Sequence, residues 1–454
     1  MQNLRNILAS PASIYPLVTF RVLFGLVAAF GALRFVAEGW VSRLLVETPF
    51  KFSFYGFAWV PRPGLAGAYV LYGVIAATAL CVSLGYRFRL TAPLFVVSFA
   101  YAELLDATHY LNHYYLVVLL GTLLCVTPAH AAGSLDVRAG RVGRRELVPA
   151  WCIHALQLQL ALVYVFAGLA KVNADWLFRA MPMAVWLPEH ADWPLIGGLL
   201  AKSWVAYAAS WAGCVYDLTI VGFLLHPRTR RYAYAVVLCF HGATWALFNI
   251  GLFPLIMSTA TLVFFPGGTH RRFWRKLHDW WTGGTSLPAF GGPGGTPPVL
   301  PKGAPTPTWQ RLGLLAFLAL QVALPLRALA YPGDTKWTEE GYRFGWRVML
   351  VEKSGTARFT VRDALTSRAV EVDNRDFLSD YQIKQMAIQP DFVWQFARHL
   401  AEVYRERGWV APEVYAEVHV ALNGRRSRRL IDPTVDLAAV TDGLSPKPWI
   451  LPLR

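Results

Sequence analysis

A lysine, several histidines and a set of amides and carboxylates stand at the ends of apolar runs, where ionisable groups are costly. The run Val163–Phe178, VYVFAGLAKVNADWLF, ends in Lys171 and passes at once to Asn173, Asp175 and Trp176. An earlier run opens with LNHYYL, which carries Asn112 and His113, and the one before it closes with YAELLDATHY, which carries Glu103, Asp106 and His109. A later run, CFHGATWALFN, adds His241 and Asn249. A charged side chain at mid-bilayer costs about 2.5–3.5 kcal/mol, so each of these groups needs a partner inside a helix bundle or a task. Together they are a set able to move protons and to hydrogen-bond developing charge: the equipment of a membrane enzyme or of a small-molecule site.

Each residue also has a plainer reading. Lys171 at a helix end can snorkel to the interface. His113 and His241 can be hydrogen-bonded bundle histidines, and Asp217 and Arg34 bundle partners. Trp176 and Tyr114 suit an interfacial aromatic belt. What favours a site is convergence, since a snorkelling lysine needs no histidines and amides at its own depth.

The elements that must position these groups are membrane helices. The chain is 454 residues long, 55% hydrophobic and only 16% charged, which is not a soluble composition. Its formal charge of +15 falls between apolar segments, where cytoplasmic loops collect Lys and Arg, and not on one soluble face, so no nucleic-acid partner is expected. The five cysteines, Cys81, Cys125, Cys152, Cys214 and Cys239, lie inside apolar runs at no metal-ligand spacing. They read as small buried hydrophobes, and no metal is expected.

Nine segments approach the length of a bilayer span: Leu17–Ala37, Leu65–Leu84, Leu90–Leu105, Leu111–Pro128, Ala150–Val172, Val205–Leu225, Tyr232–Ile250, Leu252–Pro266 and Leu312–Leu329. The first reads as a retained span, not a signal peptide. With the N-terminus cytoplasmic, the cytoplasmic segments hold Arg5; Arg87 and Arg89; Arg138, Arg141, Arg144 and Arg145; Arg228, Arg230 and Arg231; and the cluster from Arg271 to Lys276 with Lys302. The opposite loops carry Glu47, Glu189 and Asp192, so the positive-inside rule agrees with the count. The short eighth segment and the Met181–Lys202 stretch fit least well. In this topology Glu103, Asp106, His109, Asn112, His113, Lys171, Asn173 and Asp175 all lie near the outer boundary of one bundle, with His241 near mid-depth and Asn249 at its outer end.

The expected fold is thus a polytopic α-helical membrane protein of about nine transmembrane helices, residues 1–330, with a C-terminal strand-rich α+β extracytoplasmic domain, residues 331–454. Residues 267–310 form a cytoplasmic basic and Gly/Pro-rich linker: RRFWRKLHDWW suits a helix in an anionic lipid interface, and the glycines behind it suit a disordered connection. In the C-terminal part, YRFGWRVMLVEKSGTARFTVRDALTSRAVEVDN suggests two or three antiparallel strands, PDFVWQFARHLAEVYRER a helix closed at Gly408, and EVYAEVHVALNGRRSRRLIDP a hairpin through Asn-Gly.

With these residues in view, the chain resembles the vitamin K-dependent γ-glutamyl carboxylases and their bacterial relatives in the horizontally transferred transmembrane (HTTM) family. The matching stretches are YLNHYYL at 110–116, VYVFAGLAKVNADWL at 163–177, FHGATWALFNIGLFP at 240–254, WTEEGYRFGWRVML at 337–350 and LIDPTVDL with PWILPL at 430–453. The resemblance puts Lys171 on the family's catalytic lysine and His113 on its functional histidine, beside Asn112. It implies a substrate- and quinone-handling set of Asn112, His241, Asn249, Asp175, Trp176, Asp106, His109, Trp337, Tyr342 and Trp346. The implied reaction couples epoxidation of reduced vitamin K, or a menaquinol-type quinone, by O2 to carboxylation of a glutamate side chain with CO2, without a metal. Its partners are a glutamate-containing peptide or protein, the lipid-soluble quinone and membrane lipids, and its place is a bacterial inner membrane with the C-terminal domain periplasmic.

Lysine suits the first step of that chemistry. A phenolic proton of pKa about 10 is unreactive at neutral pH, and a lysine withdrawn from water favours its neutral, basic form. The small residues of AGLA before Lys171 let a neighbouring helix or a flat quinone approach closely. Two other readings stay open: a quinone epoxidase without peptide carboxylation, and a transporter or assembly scaffold whose polar cluster binds a ligand.

Overall fold

The computed structural model describes residues 8–282 and 308–453. The Gly/Pro-rich part of the expected linker, 283–307, lies outside the described residues.

All nine apolar segments are helical. They form α1 (Tyr15–Ala37), α2 (Leu65–Leu84), α3 (Phe88–Leu104), α4 (Asn112–Val126), α5 (Trp151–Lys171), α6 (Ser203–Leu225), α7 (Arg230–Leu247), α8 (Phe253–Thr261, continued by a 3-10 turn to Phe264) and, after the basic helix α9 (Gly267–Thr282), α10 (Thr308–Leu326). Five of these helices, α1, α2, α5, α6 and α10 with its extension to Ala330, are long and apolar enough to cross a membrane. α4 and α8 are apolar but shorter. The Met181–Lys202 stretch is a chain of short helical turns.

Small residues set the tightest crossings. A Cβ on Gly25 of α1 would stand 2.5 Å from the Ala79 carbonyl oxygen of α2, so only glycine permits that approach. The Ser83 hydroxyl donates to the Val22 carbonyl at 2.9 Å across the same crossing. Gly168 of α5 plays the corresponding part against α6, where a Cβ would meet the Leu218 side chain at 2.8 Å. A two-stranded ladder unsuspected from sequence, β1 (Pro11–Ser13) with β2 (Leu147–Pro149), ties the start of α1 to the start of α5.

The C-terminal region is a four-stranded antiparallel sheet, in the order β4-β3-β5-β6, under two helices. β3 (Lys353–Asp363) and β5 (Pro412–Leu422) pair along their whole length, from Lys353 opposite Leu422 to Asp363 opposite Pro412. Their alternation turns Phe359, Val361, Val414, Val418 and Val420 inward, onto Phe392, Phe396 and Leu400 of the amphipathic α12 (Pro390–Glu406). β4 (Ala369–Val372) and β6 (Arg428–Arg429) flank the pair, and α11 (Asp380–Ala387) starts at a Ser379–Gln382 capping box. At the Asn-Gly turn both Asn423 (φ 49°) and Gly424 (φ 70°) are left-handed, as a tight hairpin turn requires.

Residues 342–350 depart from the sequence reading. They alternate like a strand but form an irregular loop in which Phe344 (φ 61°), Trp346 (φ 55°) and Met349 (φ 53°) are left-handed. The reason is tertiary: Trp346 is fully buried against the bundle and stacks on Tyr115 of α4 at 5.2 Å. These aromatics fill the end of the helix bundle, not a face of the sheet.

Candidate functional site

The polar residues gather where this loop enters the bundle. Lys171 is the last residue of α5, and its Nζ lies 2.8 Å from Asp217 Oδ2 of α6. Both side chains are buried. Nζ also donates to the Ala167 carbonyl at 3.3 Å and to the Val348 carbonyl of the loop at 3.5 Å. The Trp176 ring stands 5.2 Å from Nζ, held by an indole N–H bond of 2.6 Å to the Ser210 carbonyl. The lysine foreseen beside histidines and amides therefore has a carboxylate as its nearest polar partner. Close packing at Gly168 allows it, because it brings α6 near enough for Asp217 to reach the end of α5.

Lys171, Asp217, Trp176 and His241 line a cavity of about 220 Å3 whose other walls are apolar except at Tyr164 and Thr244. His241 Nε2 lies 3.2 Å from the Tyr164 hydroxyl, whereas its buried Nδ1 has no hydrogen-bond partner among the described residues. The exposed Ala212 of α6 and Ala243 of α7 also line this cavity, so its wall is thin between those helices.

His113 opens on a different and larger cavity of about 550 Å3. Phe20, Phe24, Phe35 and Phe99 form its apolar part, and Arg34, Glu103, His109, Asn112 and Asn249 supply its polar rim. The two cavities share one partition, built from Ile250, Phe253, Val348 and Met349. Asn112 helps to seat that partition: its amide donates to the Arg347 carbonyl at 3.5 Å, and it accepts from the Tyr110 hydroxyl at 3.1 Å. The same hydroxyl accepts the Phe344 N–H at 2.9 Å.

Other expected site residues do different work. Asp175, four residues beyond Lys171, lines neither cavity. It receives Arg425 at 2.5 and 2.9 Å and Asn423 at 3.1 Å from the Asn-Gly turn, and Arg179 at 3.1 Å. Burial pushes the Asp175 carboxyl up, but the Arg425 and Asn423 hydrogen bonds outweigh it and hold the group at about 2. Asp106 accepts from Thr108 and from Gln382 of α11, and so anchors the chain between α3 and α4 to the C-terminal region. His109 lines the larger cavity, stacked on Tyr381 at 5.1 Å. Trp337 is packed in the C-terminal core with its N–H on the Leu451 carbonyl, and Tyr342 and Trp346 support the loop behind the partition.

Sequence reasoning left Asp217, Arg34 and Tyr164 outside the site, although a carboxylate in mid-span was itself a signal. Val348 and Met349 carried none, being ordinary apolar residues.

Residues 10–267 match the family model described as the HTTM domain, and residues 306–454 match that of the vitamin K-dependent gamma-carboxylase lumenal domain. No solved structure gives a significant match.

Proposed function

This chain belongs to the vitamin K-dependent gamma-carboxylase family of HTTM-domain membrane proteins, and from that membership we propose that it couples oxidation of a hydroquinone to carboxylation of a glutamate side chain. The observation that carries the reading is the buried Lys171–Asp217 pair facing an apolar cavity.

The residues of that cavity fit a reduced naphthoquinone ring. Its walls are mostly apolar, its volume of about 220 Å3 suits a bicyclic ring, and its polar groups fall into two sets, Lys171 with Asp217 and His241 with Tyr164. The thin wall at Ala212 and Ala243 suits lateral entry of a lipid-soluble molecule whose tail stays among the helices and lipid. Vitamin K hydroquinone, or a menaquinol, would be held by Lys171, His241 and Trp176, with the orphaned His241 Nδ1 as a further hydrogen-bonding atom. When bound, it supplies the electrons that reduce O2, and that oxidation drives removal of the glutamyl γ-proton.

Lys171 Nζ is the base for the ring hydroxyl. The Lys171–Asp217 pair has the same net charge whether its proton sits on Nζ or on Oδ2. Moving the proton between those atoms, 2.8 Å apart, therefore places no new net charge in the apolar surroundings. Trp176 and the apolar walls exclude water from the pair. Across the partition, His113 and the polar rim receive the glutamyl side chain and hydrogen-bond the carboxylate as its charge develops. Val348 and Met349 bound both cavities, so the glutamyl γ-carbon would have to lie at this partition for a base formed at the ring to take its proton.

The further parts of the proposal concern placement. Nine spans with the N-terminus cytoplasmic put the arginine-rich loops on the cytoplasmic side. The C-terminal region, residues 331–454, then faces the periplasm of a bacterial inner membrane, where a secreted or membrane-bound glutamyl peptide reaches the site.

The test is purified protein in detergent with vitamin K hydroquinone, labelled CO2 and a short glutamate-containing peptide. Wild type should form epoxide and labelled peptide, Lys171→Ala neither. Lysine-dependent epoxide without label would leave a quinone epoxidase, and neither product in the wild type would sink the reading. Full activity of Lys171→Arg would point to a transporter or scaffold, because an always-charged guanidinium cannot act as this base.

A further inference from the structure

A second polar site lies at the opposite end of the bundle from Lys171. α4 starts beside the loop at Arg347 and ends at Val126, about 22 Å away for its length. Just beyond that end, His130 is 2% exposed and stacks on Phe88 at 4.8 Å. Both of its ring nitrogens are buried without a hydrogen-bond partner among the described residues. A histidine buried with neither nitrogen satisfied is uncommon and needs an explanation.

The explanation is in its surroundings. His130 lines a cavity of about 100 Å3 with Arg89, Val142 and Arg145. That is room for about three waters, or for one tetrahedral oxyanion. The neighbouring acids are already engaged. Asp136 accepts the Arg87 and Phe88 N–H groups at 2.8 and 2.9 Å and Arg141 at 3.2 Å, and Glu146 accepts Arg144 at 2.9 Å. Arg89 and Arg145 have no carboxylate partner among the described residues. Arg21, which does not line this cavity, is fully buried, with one amino group on the Gly133 carbonyl at 2.6 Å and with Nε and Nη1 unpartnered among the described residues. Two stretches of its wall are tied together, since the Arg145 N–H bonds the Ala131 carbonyl at 2.8 Å.

We propose that Arg89, Arg145 and His130 form a binding site for a phosphate-class oxyanion, far from the Lys171 cavity. Arginine forks suit phosphate oxygens, and a neutral imidazole adds one N–H donor. The same chemistry is offered by an anionic lipid headgroup at the membrane surface and by phosphate in the adjoining solution.

Both sources are tested on the detergent-solubilised full chain by thermal unfolding, at matched ionic strength, with short-chain phosphatidylglycerol or with inorganic phosphate. A ligand that binds only the folded protein raises Tm in a saturable way. The double variant Arg89→Gln/Arg145→Gln, altered at exposed positions, should bind at least about tenfold more weakly, having lost two charge-assisted contacts. A control variant, Arg138→Gln/Arg228→Gln, removes two charges elsewhere on the same end and should respond like wild type. A response to phosphatidylglycerol alone identifies a lipid headgroup, and a response to phosphate identifies the free anion as a ligand too. If neither ligand shifts the wild type, or if both double variants respond alike, the site is refuted.

Discussion

Lys171 Nζ stands 2.8 Å from Asp217 Oδ2, one residue from the end of α5 and the other from the middle of α6, with both side chains closed off from solvent. Removing one member of such a pair leaves a buried charge without compensation, which costs about 3–5 kcal/mol. Lys171→Met and Asp217→Leu should each destabilise the protein by that order in detergent unfolding. The double variant should recover most of the loss, yet show no hydroquinone oxidation. Recovery of activity with stability would mean that the pair is structural.

Gly168 makes this contact possible. Gly168→Ala puts a methyl 2.8 Å from the Leu218 side chain and 3.0 Å from its backbone nitrogen, so α5 and α6 must part by a few tenths of an ångström. The expected cost is about 1–3 kcal/mol, with a loss of turnover larger than that of stability. Adding Leu218→Ala, which removes the atoms struck first, should restore part of both.

The partition between the cavities carries a residue in an unfavourable backbone conformation. Met349, at φ 53°, should tolerate glycine with stability changed by no more than about 1 kcal/mol, because relief of the left-handed strain offsets the lost side chain. The wall is then open. Met349→Gly should raise the ratio of epoxide to carboxylated peptide; an unchanged ratio would show that Met349 does not help to hold the glutamyl side chain at the partition.

Much of this arrangement is legible in the sequence, and the rest is not, for physical reasons. The nine helical segments follow from runs of apolar residues, and α12 follows from Phe392, Phe396 and Leu400 at helical spacing. Depth along alternating spans put Lys171, His113 and Asn112 at one end of the bundle, and the structure sets them on either side of one partition. What escaped is pairing between helices. Nothing local says that Asp217 faces Lys171, or that Lys171 and His113 open on separate cavities. Residues 342–350 misled for a related reason, since alternation records which residues seek burial but not whether a sheet or a helix bundle will bury them.

A pH experiment bears on the join between bundle and sheet. Asp175 is held at about 2, below its ordinary value near 3.9, so its bonds to Arg425 and Asn423 contribute fully above about pH 4. That contribution falls away as pH drops from about 4 toward 2. Hydrogen exchange at residues 423–425 should therefore rise over that window in the wild type. In Arg425→Gln the rise should already be present at neutral pH.

The loop that ends in Val348 and Met349 also sets an order of events while the chain is being made. The lysine, its aspartate and the histidines belong to segments synthesised before residue 248, and Ile250 and Phe253 of the partition follow at once, but Val348 and Met349, which complete it, arrive about a hundred residues later. A nascent bundle thus carries Lys171, Asp217 and His113 before the residues that complete the wall between their cavities. Only a chain synthesised past Met349 can close the partition between the two cavities.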